Sequence, residues 1–156
     1  MPRKHSAGLL VYRLRGDVLE VLLVHPGGPF WAKKDLGAWS IPKGEFDPAE
    51  EDALSVAKRE FAEETGHTAS GEFVPLSAIR QPGGKLVHAW ALRGDFDISR
   101  VRSNTFSMEW PPRSGKFREF PEVDRAEWFA IPEAKQRILQ GQVGLLEQLE
   151  RLITTK

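Results

Sequence analysis

Apolar residues crowd two early runs of the chain, residues 7–14 and 18–25, separated by the polar triplet Arg15-Gly16-Asp17. Such runs, broken by a glycine-containing turn, predict two paired strands. Residues 26–36 form a loop carrying Phe30, Trp31, Lys33 and Lys34. A short strand near Trp39 then runs into a Pro- and Gly-punctuated loop, Pro42-Lys43-Gly44-Glu45. Residues 72–80 and 85–92 read as further strands joined through Pro82-Gly83-Gly84, and residues 126–130 as another. Residues 96–120, with Pro111-Pro112 and several basic side chains, are expected to be mostly irregular. Pro132 opens a helix that Gly141 interrupts, and residues 143–153 carry apolar side chains at helical spacing. Strands flanking one early helix, with helices at the end, predict an α+β chain or an αβα sandwich.

The early helix carries the chemistry. Asp47-Pro48-Ala49-Glu50 supplies an N-cap acid, a proline at the first helical position and a capping-box glutamate. At about 100° per residue, Ala53, Leu54, Val56, Ala57 and Phe61 define the apolar arc. Glu60 and Glu64 project into that arc, Glu63 lies at its edge, and Ser55, Lys58 and Ala62 fall on the polar side. Three carboxylates at i, i+3 and i+4 meet on one face and repel. Anions on a half-buried face are costly unless paired or metal-bound. One reading is a salt-bridged acidic helix with Arg59 as the partner. The facing favours the other, a hard divalent cation held by oxygen ligands.

Gly44, Glu51, Arg59-Glu60, Glu63-Glu64 and Gly66 together resemble the signature of the Nudix hydrolases. The chain departs from the signature in two places. Six residues separate Gly44 from Glu51, one more than the family pattern has, so either Glu51 or Glu50 takes the first glutamate's place. His67 stands at the usually aliphatic last position. The resemblance implies the Nudix fold, an αβα sandwich with a mixed central sheet, over residues 1–156 as one domain. It also implies hydrolysis of a phosphoanhydride bond in a nucleoside diphosphate-linked substrate, with Mg²⁺ or Mn²⁺. Glu60, Glu63 and Glu64 would be metal ligands together with the main-chain carbonyl of Lys43. Glu60 and Glu122 are the candidates for general base, Glu122 standing six residues before Trp128 with Glu119 and Glu127 as competitors. Arg59 would orient the carboxylates.

Composition narrows the partners. Lys+Arg and Asp+Glu balance at 22 each over 156 residues, which gives no attraction to long nucleic acid or to an anionic membrane. The absence of cysteine excludes disulfides, thiolate nucleophiles and cysteine zinc sites. No apolar segment of signal-peptide type precedes Ala7, so the cytoplasm is the expected compartment. The expected partner is a small nucleotide. Candidate phosphate contacts are the Lys43 side chain, Lys85, Arg113 and Lys116, with Lys33, Lys34 and Arg118 nearby in sequence, and Trp31, Phe30 and Trp110 are candidate stacking surfaces. Several cationic loops suit a long phosphate chain, and general likeness to small Nudix enzymes points the same way, to a dinucleoside polyphosphate such as diadenosine tetraphosphate. Pro82 keeps ADP-ribose open, since a proline near this place resembles ADP-ribose hydrolases. Nucleotide sugars and nucleoside triphosphates stay open as well. A different class, a nucleotide sensor on the same fold that does not hydrolyse, disagrees with the presence of all three helix glutamates.

Overall fold

A computed structural model describes residues 4–100 and 102–154. Strands β1 (His5–Arg15) and β2 (Val18–Pro26) form the expected antiparallel hairpin, with Arg15 opposite Val18. Their two-residue turn needs Gly16, whose φ of 61° suits a residue without a side chain. Strand β3 (Lys43–Phe46) pairs with the start of β1, so Gly44 lies in a strand and not in the expected loop. Trp39 and Ser40 make only isolated bridges, to Ile138 and Val24. Strands β4 (Val74–Pro75) and β5 (Ile79–Arg80) replace the one strand expected over residues 72–80. Both pair with β6 (Leu86–Arg93), which runs parallel to β1. Strands β7 (Thr105–Glu109) and β8 (Phe117–Pro121) form a separate two-stranded sheet. Strand β9 (Val123–Ala130) pairs with β2 and closes a mixed main sheet of order β4-β6-β1-β2-β9.

The two central strands are buried on both faces, which accounts for their nearly unbroken apolar runs. Alternate side chains point to opposite layers. Ala7, Leu9, Val11, Leu22 and Val24 pack with Val56, Ala57 and Phe61 of helix α1 (Ala53–Thr65). On the other face, Leu10, Val21 and Leu23 pack with the helices α2 (Ile131–Arg137) and α3 (Val143–Thr154) through Ile131, Ala134, Leu145, Leu146 and Leu149. The result is an αβα sandwich with the terminal helices where the sequence placed them. Among the described residues no helix is long and apolar enough to cross a membrane.

Two further expectations are corrected. Helix α1 starts at Ala53 with Asp52 as its N-cap, accepting from the Ser55 N–H at 3.0 Å. Asp47-Pro48 instead makes a tight turn, in which Asp47 Oδ1 accepts the Ala49 N–H at 2.9 Å and Asp47 O accepts from Glu50 and Glu51. A cap signal and a turn signal share the same chemistry, and here Asp47 uses it for the turn. The second correction concerns residues 96–120. Thr105-Phe106-Ser107-Met108-Glu109 alternates polar and apolar side chains, a strand period that Pro111-Pro112 and the nearby charges obscure.

Candidate active site

Helix α1 presents Glu60, Glu63 and Glu64 beside the strand β3. Its buried face holds Val56, Ala57 and Phe61; the spacing puts Glu60 and Glu64 inside that arc and Glu63 at its edge, and all three glutamates are half-buried. The side chain of Glu60 is 16% exposed and that of Glu63 36%, so neither is an ordinary surface acid. Gly66 ends the helix in a left-handed conformation, φ 80°, and its N–H donates to the Ala62 carbonyl. That geometry is what the last glycine of the signature supplies. His67 takes a packing role, its ring against Phe96 and its Nε2 2.7 Å from the Asp97 carbonyl oxygen.

Strand β3 meets the helix at two atoms. The Lys43 N–H donates to Glu64 Oε2 at 3.2 Å. A Cβ on Gly44 would stand 2.2 Å from Glu60 Cδ, so only glycine lets that carboxyl group lie on the strand. Arg59 then ties the acids together. Its Nη1 donates to Glu51 Oε1 at 2.7 Å, with Glu60 and Glu63 oxygens at 3.8 and 3.9 Å from the same guanidinium. Of the two residues left open for the first glutamate, Glu51 therefore sits on the arginine, while the exposed Glu50 donates its N–H within the Asp47 turn.

Glu122 comes from the far side of the cleft, at the junction of β8 and β9, and its main chain is held on both sides. Its N–H donates to Asn104 O at 2.8 Å and its carbonyl accepts from Gly27 N at 3.0 Å. Asn104 N donates in turn to the Glu63 carbonyl at 3.0 Å, which connects this junction to helix α1. Glu122 is exposed, as are the competitors Glu119 on β8 and Glu127 on β9, but of the three only Glu122 lines the hollows at this cleft.

Mutual repulsion and burial show in the acids' proton affinities. Burial pushes the Glu64 carboxyl up to about 8, and Glu60 and Glu122 add to it against the opposing pull of the Lys43 N–H and ammonium. Glu60 is raised by burial first and then by Glu63, with Arg59 opposing. Glu122 is raised by burial and by Glu63. The Lys43 ammonium is pulled below its ordinary value by burial, then by Lys85. Among the described residues, no three His, Asp or Glu side chains stand as a ready-made metal cage. The donor chemistry nevertheless fits a hard divalent cation: carboxylate oxygens from one helix, set close enough to raise one another, which such a charge would relieve.

Two neighbouring hollows open here. The smaller, about 200 Å³, is lined by Lys43, Glu64, Glu122, Ser40 and Trp31 among others. The larger, about 390 Å³, shares Pro26, Trp31 and Glu122 with it and adds Phe30, Phe106 and Met108. Trp31 lines both hollows, with the Lys34 ammonium 5.0 Å from its ring centre. Lys85 lines neither hollow and pairs with Glu45 at 3.7 Å. Arg113 and Lys116 also line neither; they stand exposed on the β7–β8 turn, where Glu109 accepts the Arg113 N–H at 2.9 Å. Pro82 packs against Gly141, where a Cβ would be 2.9 Å from its ring. Phe106, Met108, Ser40 and the buried Gln142 are additions that motif reading did not reach. Gln142 accepts the Ile41 N–H at 3.1 Å and donates to Ser40 Oγ at 3.0 Å, fixing the chain ahead of β3.

A family model described as the NUDIX domain matches residues 2–149. Among solved structures, the chain is similar to the NUDIX domain of Shewanella oneidensis NrtR complexed with ADP ribose, at 16% identity and a TM-score of 0.69, covering 98% of this chain and 90% of that one. It is similar to a C. elegans Ap4A hydrolase in a binary complex, at 21% identity and a TM-score of 0.65, covering 97% and 98%. A MutT structure from work on Aliivibrio salmonicida and Vibrio cholerae matches at 16% identity and a TM-score of 0.57, covering 96% and 97%. At these identities the likeness is one of fold. The family model spans nearly the whole chain, and this protein belongs to the NUDIX family of pyrophosphohydrolases.

Proposed function

We propose that this protein hydrolyses a phosphoanhydride bond in a nucleoside diphosphate-linked substrate at the cleft between helix α1 and Glu122. The observation that carries this reading is the convergence of Glu60, Glu63 and Glu64 with Glu122, a residue from a distant segment, beside Lys43. Family members generally need a divalent metal, and here Mg²⁺ or Mn²⁺ would be held by Glu60, Glu63, Glu64 and the Lys43 carbonyl. When bound, the metal offsets the charge of the diphosphate and polarises its phosphoryl oxygens.

The chain's own groups do the rest. Glu122, or Glu60 in its place, accepts a proton from the attacking water as its oxygen joins phosphorus, and the bridging oxygen leaves with the departing phosphate. Burial raises both candidates toward the working range of a general base. Arg59 positions the acids without touching substrate. The Lys43 ammonium is available to a phosphoryl oxygen.

The favoured substrate is a dinucleoside polyphosphate such as diadenosine tetraphosphate. Its support is the cationic loop after β2, which carries Lys33 and Lys34, with the Lys34 ammonium 5.0 Å from the ring centre of Trp31, a residue lining both hollows. Its structural neighbours include an Ap4A hydrolase and an ADP-ribose-binding domain, so ADP-ribose is the second substrate to try. Pro82 gives it no support, because that residue packs on Gly141. The test is a panel of dinucleoside polyphosphates, ADP-ribose, nucleotide sugars and nucleoside triphosphates with Mg²⁺ or Mn²⁺, products identified as well as rates. The expected result is metal-dependent turnover, fastest on a dinucleoside polyphosphate. No turnover of any member with either metal would replace this reading with a binding protein.

A further inference from the structure

His25, near the end of β2, has no exposed surface, and an acceptor faces each of its ring nitrogens. Asp124 Oδ1 on β9 lies 2.8 Å from Nδ1, and the Lys34 carbonyl oxygen lies 2.6 Å from Nε2. A carbonyl only accepts, so Nε2 carries the hydrogen of that bond. Asp124 aims the ring, and a ring with hydrogen on both nitrogens serves both partners at once. The Trp39 ring closes one side edge to face, with centroids 5.1 Å apart. A leucine here would bury as much surface with no polar group to satisfy, so what the imidazole adds is its two bonds.

Those bonds hold the loop after β2, which is a run of turns ending on Lys34. Trp31 N donates to the Gly28 carbonyl at 3.4 Å, Lys34 N donates to the Trp31 carbonyl at 3.0 Å, and the Lys34 carbonyl accepts from His25. The Lys34 ammonium returns over the Trp31 ring, which lines both hollows. The loop is moored at its two ends as well. Gly27 N donates to the Glu122 carbonyl, and Asp35 binds Trp39 Nε1 and Arg137 of α2. Between these moorings the bond to His25 ties the loop's main chain to the sheet.

We infer that His25 is a positioning residue for the hydrolytic site, setting the loop that carries Trp31 and Lys34 against β9 and so against Glu122. Asp124, its partner on β9, stands two residues beyond Glu122. His25 itself touches no substrate. One ring spans both partners, so a side chain that reaches only one of them releases the other. Glu122 keeps its own ties to Asn104 and Gly27, so a released loop weakens substrate binding more than it slows the chemistry.

The inference rests on the hydrolase reading for the reaction served, and hydrogen exchange tests the clamp without substrate. Two variants divide the bonds between them. The amide of His25→Asn reaches as far as Nδ1 and meets Asp124, while that of His25→Gln reaches as far as Nε2 and meets the Lys34 carbonyl. Exchange over residues 27–34 is expected to quicken at least about fivefold in His25→Asn and to stay within about twofold of wild type in His25→Gln. Helix α1 should exchange as in the wild type in both. On the panel substrate turned over fastest, His25→Asn should raise KM at least about fivefold with kcat within about threefold, and His25→Gln should restore KM to within about twofold. Should His25→Asn not fold, Asp124→Ala removes the carboxylate that aims the ring from a partly exposed position, and quickened exchange confined to residues 27–34 is expected there. Wild-type loop exchange and KM in the folded variant would overturn the inference. So would equal quickening of loop and helix in His25→Asn and His25→Gln, which is the response to lost core packing. A wild type without turnover whose loop still loosens in His25→Asn refutes the hydrolase reading alone. An active wild type whose loop does not loosen refutes this inference alone.

Discussion

Helix α1 and the β7–β8 hairpin deliver acids to the same cleft by opposite means. The helix does so through spacing along one element: once Val56, Ala57 and Phe61 are buried, the directions of Glu60, Glu63 and Glu64 follow. The hairpin does so through pairing across the chain. Glu122 is placed by Asn104, which also holds the Glu63 carbonyl, and by Gly27 from the loop after β2. A change on the helix side should therefore alter the chemistry with the fold intact. A change on the hairpin side should alter placement and stability together.

Gly44→Ala is the sharpest break on the first side. Its Cβ would collide with the flexible end of Glu60, which can swing away, so the melting temperature should hold while turnover falls by about a hundredfold. Turnover near wild type would mean that Glu60 is not needed where it lies. Gly27→Ala is the counterpart. There a Cβ would stand 1.9 Å from the Pro121 carbonyl oxygen, which is backbone and cannot give. Urea unfolding should show a loss of about 1–3 kcal/mol, with a parallel loss of rate. Wild-type stability in that variant would deny the hairpin its placing role.

A pH scan of the metal-free protein separates the two sides further. Glu64 holds its proton up to about 8 in the folded state against an ordinary value of 4.5, so its contribution to stability is fully present below pH 4.5 and is lost as pH rises toward 8. The expected melting temperature falls across that window, and Glu64→Gln flattens the fall. An unchanged slope in the variant would place the titration elsewhere. The smallest effect is expected at the hairpin turn. Arg113→Ala and Lys116→Ala should each change KM by less than about threefold, the scale of a screened surface charge. A tenfold rise would show that a long phosphate chain reaches that far.

The same contrast explains what the sequence disclosed. The central strands, the terminal helices and the carboxylate face of α1 were legible because each is set by a local period or a fixed spacing. The helix start is ambiguous in the sequence because Asp47-Pro48 satisfies turn chemistry as well as cap chemistry, and only tertiary context chooses Asp52. The hairpin is hidden in the sequence although Phe106 and Met108 alternate with polar residues, since two prolines and the surrounding charges dominate that stretch. Position before the last core strand identified Glu122 as a candidate, but its hydrogen bonds to Asn104 and Gly27 join residues that no sequence pattern relates. Charge alone does not rank the cationic candidates: Lys85 lines neither hollow but pairs with Glu45 within electrostatic reach of Lys43, and Arg113 and Lys116 stand on the β7–β8 turn.

The central claim is that the acids of helix α1 serve a metal-dependent hydrolysis and not the fold. Glutamine at Glu64 keeps an oxygen for the Lys43 N–H while removing the negative charge. The direct test is kcat/KM of Glu64→Gln, with Mg²⁺ or Mn²⁺, on the panel substrate that the wild type turns over fastest. The expected result is a loss of at least about a hundredfold in a protein that melts no lower than the wild type. A variant that retains more than about a tenth of the wild-type value would contradict the account.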